Sequence, residues 1–63
     1  MRFVSVPDAR KIRETEKALL VEIEGEEHWV PKSFARLDPD GSLEIPKWLA
    51  EEKTIEYDDE FEG

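Results

Sequence analysis

Leu19, Val21 and Ile23 stand at every second position of the run Thr15–Glu24, with Ala18, Leu20, Glu22 and Glu24 between them. A period of two marks a strand with one buried face, because successive side chains leave a strand on opposite sides. Leu20 makes the outer face partly apolar. Gly25 breaks the run and supplies the positive φ that a tight hairpin needs. Glu27–Val30 is the return strand, with Trp29 as its most buried candidate. Pro31-Lys32-Ser33 ends or bends this pairing, since proline has no N–H for a ladder. Phe34–Leu37 resumes an extended path. Asp38-Pro39-Asp40-Gly41 carries turn residues throughout, and Ser42–Ile45 alternates again to close a second hairpin.

The pattern is weaker toward both ends. Phe3–Val6 alternates briefly and stops at Pro7, which reads as a short strand at a sheet edge. Asp8–Glu14 has one large apolar residue, Ile12, among mostly charged ones, and reads as a loop or a loose helical turn. Pro46 suits the first position of a helix, and the segment to Lys53 holds good helix formers. Two turns are too short to stand alone, so Trp48 and Leu49 must dock them. Thr54–Tyr57 is one more candidate strand, and 58–63 is a flexible acidic tail. These elements predict a single domain over 1–57. It is mainly β (α+β): a small antiparallel meander or SH3-like barrel of three to five strands with one short C-terminal helix.

Composition limits what holds such a domain together. In 63 residues there is no cysteine, hence no disulfide framework and no thiolate metal site. Apolar burial must offset nearly all the conformational entropy lost on folding, helped or not by self-association; a homodimer stays open. No run of apolar residues is long enough to span a membrane. Met1–Asp8 is too short and polar for a signal peptide, so the cytoplasm is the expected compartment.

Charge says more about partners. Seventeen acids oppose nine bases, a net charge of -8. Residues 1–21 carry five bases and three acids, whereas 22–63 carry four bases and fourteen acids. Such a field repels nucleic acid and anionic membrane and favours a basic protein partner. The bland alternative is that the acids only keep the protein soluble.

Candidate chemistry is sparse. His28 is the only histidine and lies beside Trp29 on the opposite strand face, with no positioned partner for acid–base work. Ser5, Ser33 and Ser42 lack a nucleophile-elbow context, and no phosphate-binding glycine loop occurs. Asp38-Pro39-Asp40-Gly41-Ser42 looks like the start of a calcium loop, but its glycine comes two residues early and a third ligand is missing. The expectation is a non-enzymatic protein without cofactor or metal. Two binding surfaces are candidates. Glu56, Tyr57, Asp58, Asp59, Glu60 and Phe61 interleave acids with rings, as segments that dock on basic grooves do. Trp29, Lys32, Phe34 and Arg36 are an alternative face for stacking single-stranded nucleic acid, although the net charge opposes the phosphate attraction such binding needs.

One stretch has a family look. Lys17-Ala18-Leu19-Leu20-Val21-Glu22-Ile23, Gly25, Trp29 and Val30-Pro31-Lys32-Ser33, followed by Ile45-Pro46, Trp48, Ala50-Glu51 and Lys53, resemble a group of small proteins of unassigned activity carried by bacteria, prophages and phages. Met1–Arg13 and the acidic tail lie outside the shared pattern. The resemblance implies a phage or mobile-element setting. Small acidic proteins there often inhibit host machines such as a CRISPR nuclease or RNA polymerase.

Overall fold

A computed structural model describes residues 1–62. The chain forms β1 (Arg2–Val6), β2 (Arg10–Glu14), β3 (Ala18–Ile23), β4 (Glu26–Pro31), β5 (Arg36–Leu37), β6 (Leu43–Pro46), the helix α1 (Lys47–Glu52) and β7 (Asp59–Glu62). Two antiparallel sheets result, one ordered β5-β6-β1-β7 and the other β2-β3-β4. The fold is mainly β with one short helix, as the pattern predicts.

The strongest alternation gives the strongest hairpin. β3 and β4 pair from Ala18↔Pro31 to Ile23↔Glu26 around the two-residue loop Glu24-Gly25. Both loop residues have positive φ, 51° and 83°, the pattern of the hairpin turn that matches strand twist. The Asp38–Gly41 turn is also as predicted. The Gly41 N–H donates to Asp38 O at 3.0 Å, and the Ser42 N–H donates to Asp40 Oδ1 at 2.9 Å. It brings β6 back onto β5 over Arg36↔Glu44 and Leu37↔Leu43. Phe34, expected in that extended segment, instead closes a turn, its N–H donating to Pro31 O at 3.1 Å.

α1 starts after Pro46, which is its N-cap with extended φ and ψ rather than its first helical residue. It ends in a Schellman motif. The Ile55 N–H reaches Ala50 O at 2.8 Å, and the Thr54 N–H reaches Glu51 O at 3.2 Å. Thr54 therefore holds φ 58°, a position that normally takes glycine. Thr54–Tyr57, expected as a strand, is this cap and the irregular chain after it.

Five other expectations are corrected. Asp8–Glu14 is no loop: Arg10–Glu14 pairs with β3 as an edge strand whose five residues are all exposed. β1 is not an edge. It lies between β6 and β7. The acidic end is no detached tail over Asp59–Glu62, which pairs with β1 from Arg2↔Glu62 to Ser5↔Asp59; Gly63 lies outside the described residues. Seven segments thus pair, where the pattern shows three to five. Finally, Trp29 is 44% exposed. A two-residue loop sets Trp29 opposite Leu20, on the outer face, while Val30 faces Leu19 inside.

The core is aliphatic throughout. Val4 and Val6 of β1, Leu43 and Ile45 of β6, Leu19, Val21 and Ile23 of β3, Val30 of β4, and Leu49 and Ala50 of α1 form one cluster with Ala9 and Ile55. Both sheets and the helix share it. Leu49 docks α1 as expected; Trp48 does not, being 44% exposed.

Candidate functional site

With the core filled by aliphatic side chains, the aromatic rings lie around it. Phe34 is 43% exposed and meets the Trp48 ring edge-on, with centroids 5.7 Å apart and planes at 78°. Trp48 and Trp29 line one cavity of about 400 Å³ together with Val30, Pro31 and Leu49. On the other side of Phe34 a cavity of about 260 Å³ is bounded by Phe3 and Phe61, whose rings stack at 6.1 Å. Trp48 thus links Trp29 and Phe34 of the alternative face.

The two cations of that face are already engaged. Lys32 Nζ contacts Glu14 Oε2, and Arg36 Nε lies 3.1 Å from Asp38 Oδ1. Lys32, then Lys11, holds the Glu14 carboxyl down at about 2. Asp38 beside Glu44, with some burial, pushes the Glu44 carboxyl above its ordinary range.

The acidic candidates are split by their place in the sheet. Phe61 is half-buried against Phe3. Glu60 bridges Arg2 Nε at 3.2 Å and Lys47 Nζ at 3.3 Å, and the second contact raises the Lys47 ammonium. Tyr57 packs partly buried against the core. Asp58 is exposed, and its backbone N–H donates to Ser5 O at 3.0 Å. The backbone of Asp59 is opposite Ser5 in the ladder. Tyr57 and Phe61 are therefore not loose anchors on a tail.

Glu56 finds different company. It lines a cavity of about 340 Å³ with Glu24, Glu26, His28 and Thr54 over a floor of Ile23 and Ile55. His28 points inward from β4, its side chain 15% exposed and its Nε2 3.8 Å from Glu26 Oε1. Here the β3–β4 turn meets the end of α1. Among the described residues, Asp8, Glu16, Glu24, Glu27, Asp40, Glu44, Glu51, Glu52, Glu56 and Asp58 make no ion pair, whereas six of the nine lysines and arginines do. Two of the cleft's three carboxylates, Glu24 and Glu56, are thus unpaired, and Glu26 has the His28 contact. The one trace of this grouping in the sequence is the Glu24-Gly25 turn, which fixes where Glu24 and Glu26 sit.

Among the described residues no group of three or more His, Cys, Asp or Glu side chains is placed to hold a metal ion, and no helix is long and apolar enough to cross a membrane. No family model, curated protein or solved structure matches the chain.

Proposed function

We propose that this is a non-enzymatic protein-binding module that docks its acidic end on a basic, nucleic-acid-handling protein and modulates or inhibits it. The observation that carries the reading is the acidic cleft of Glu24, Glu26 and Glu56 over Ile23 and Ile55, where Glu24 and Glu56 make no ion pair. Carboxylates above an apolar floor suit a lysine or arginine side chain, whose stem is apolar and whose head is charged. Backbone strain supports it too. Glu24 and Thr54 both hold positive φ at the cleft, where asparagine or glycine would cost less, and such local conflicts gather at functional sites. The phage-like resemblance fits an inhibitor of host nucleic-acid machinery, within a phage or mobile-element setting.

The test uses immobilised protein and an oligo-arginine peptide, followed by capture from the native cell. Wild type should bind the peptide at low salt, release it as salt rises, and enrich basic proteins. A Glu24→Gln/Glu56→Gln variant should lose most of both. Equal binding by the variant overturns the reading.

A second reading, nucleic-acid binding, rests on the exposure of Trp29 and Phe34, since stacking platforms need open rings. Its weakness is that Lys32 and Arg36 are already paired. A mobility shift of single-stranded or duplex DNA at low salt, abolished by Trp29→Ala, would move the assignment to this face.

A further inference from the structure

The outward face of the sheet β5-β6-β1-β7 carries a pocket with aromatic walls. Val4 and Val6 of β1 and Leu43 and Ile45 of β6 are buried in the core, so strand alternation turns Phe3, Ser5 and Glu44 to the other side. The register then groups that side: Arg36 is opposite Glu44, Glu44 opposite Ser5, and Phe3 opposite Phe61. The turn closed by the Phe34 N–H on Pro31 O brings a third ring to the same place. Phe3, Phe34, Phe61 and Glu44 bound the cavity of about 260 Å³. Phe3 and Phe61 stack with centroids 6.1 Å apart and form one wall. Phe34 forms another, held edge-on by Trp48.

Glu44 selects what this pocket takes. It is half-buried and lines the cavity, and among the described residues it makes no ion pair. Arg36 stands across the ladder from it, but that guanidinium lies against Asp38 at 3.1 Å. Two carboxylates thus share one guanidinium, and of the two only Glu44 lines the pocket. An anion is repelled there. A neutral apolar group would strip water from Glu44 and leave its charge uncompensated. A primary ammonium or a guanidinium brings three or five N–H donors. Against them the side chains of the wall offer Glu44, the Ser33 hydroxyl and rings, so most donors would lose water without a replacement. A quaternary ammonium has no N–H to satisfy. Its methyl groups suit apolar walls, and its charge is attracted to ring faces and offset by one carboxylate.

We propose that this cavity binds a quaternary ammonium head group, the chemistry shared by choline and trimethylated lysine. Its volume is below the roughly 300–1,000 Å³ of pockets that enclose whole drug-sized ligands, and suits a head group with a short stub of chain. Phenylalanine is a weaker partner for a cation than tryptophan, so the head group alone should bind weakly. The site shares no residue with the acidic cleft. It discriminates by methylation, whereas the cleft discriminates by charge.

Proton NMR of the full chain titrated with choline chloride, at constant and moderate ionic strength, tests this. The N-methyl resonance should move upfield as it meets the ring faces, and the shift should saturate. Ammonium chloride should bind at least about tenfold more weakly, and so should neohexyl alcohol, in which carbon replaces the charged nitrogen. Phe34→Leu keeps an apolar wall without a ring, and Glu44→Gln keeps the shape without the charge. Each should weaken choline binding about tenfold. Circular dichroism should show both variants folded, since Phe34 is 43% exposed and Glu44 holds no ion pair. Glu24→Gln/Glu56→Gln should bind choline as wild type does, which separates this result from the fate of the acidic-end reading. A trimethyllysine peptide that binds tighter than choline supports the site with a protein as the source, and the reverse order supports it with a small molecule as the source. Choline that never saturates overturns the proposal. So does equal binding of neohexyl alcohol, or choline binding that Phe34→Leu and Glu44→Gln both leave unchanged.

Discussion

At the scale of single residues, exposure decides what a substitution costs. Ile45 is fully buried at the centre of the cluster, so Ile45→Ala should destabilise by about 2–5 kcal/mol. Trp29 is larger but lies outside, across from Leu20. Trp29→Ala should cost only about 1 kcal/mol, the value of part of one ring over Leu20. Urea midpoints of the two variants check the order; a larger loss for Trp29 would place it in the core after all. This residue was legible in principle. Once Gly25 is read as half of a two-residue loop, strand parity puts Trp29 on the face of Leu20. Size argued for burial, and parity overruled it. Titration gives the second prediction at this scale. Glu14 is held at about 2, far below its ordinary 4.5. A depressed folded pKa gives stability that is present above pH 4.5 and lost as pH falls toward 2. Glu44 is raised, so its contribution has the opposite sign: present below 4.5 and lost as pH rises through the raised value. Melting temperature against pH should therefore show a flatter acid limb in Glu14→Gln, and a gain confined to higher pH in Glu44→Gln. A limb unchanged in Glu14→Gln would show that its lysine contacts do not persist in solution.

At the scale of elements, the legible ones were those whose pattern reports a buried face. β3, β4 and β6 alternate, and α1 announces itself through Pro46. β2 and β7 do not alternate in hydrophobicity because neither has a face that must be wholly apolar. β2 is exposed at all five positions. Phe61 of β7 packs against Phe3 while charged residues flank it. Both are outer strands, and charge on an outer strand blocks pairing with another chain, so the composition that hides them from pattern reading is what an edge requires. β7 should matter to the fold all the same. A chain ending at Asp58 loses a four-residue ladder beside β1 and the Phe3–Phe61 stack, and should lose about 2–4 kcal/mol. Urea unfolding of the shortened chain decides it, and unchanged stability would mean that β7 contributes no net free energy. At the other strained joint, Thr54→Gly places the residue that the Schellman motif favours at φ 58° and should gain about 1 kcal/mol.

At the scale of the whole molecule, the charge visible in the sequence is distributed by the fold into two unlike surfaces. The sequence places most acids after residue 21, but it cannot show that β7 ties Glu60 to Arg2 and Lys47 while Glu24 and Glu56 meet at a cleft from distant segments. That grouping depends on tertiary contact between the β3–β4 turn and the end of α1, for which no local pattern exists. It also makes position, not total charge, the quantity to test. Glu24→Gln/Glu56→Gln and Asp8→Asn/Glu16→Gln remove the same charge from different places, and all four side chains are exposed. Both variants reduce self-repulsion equally to first order, so both should melt slightly higher than wild type at low salt. Their association with an oligo-arginine peptide should differ. The cleft variant should associate more slowly than the control at low salt, because a steering field acts through the charges nearest the approach path and is screened beyond about 8–10 Å at moderate salt. The gap should close as salt rises. Stopped-flow rates for the two variants across a salt series measure this directly. Equal slowing in both would mean that the field acts only through net charge, and the acids would then be the coat of a soluble protein rather than a docking surface.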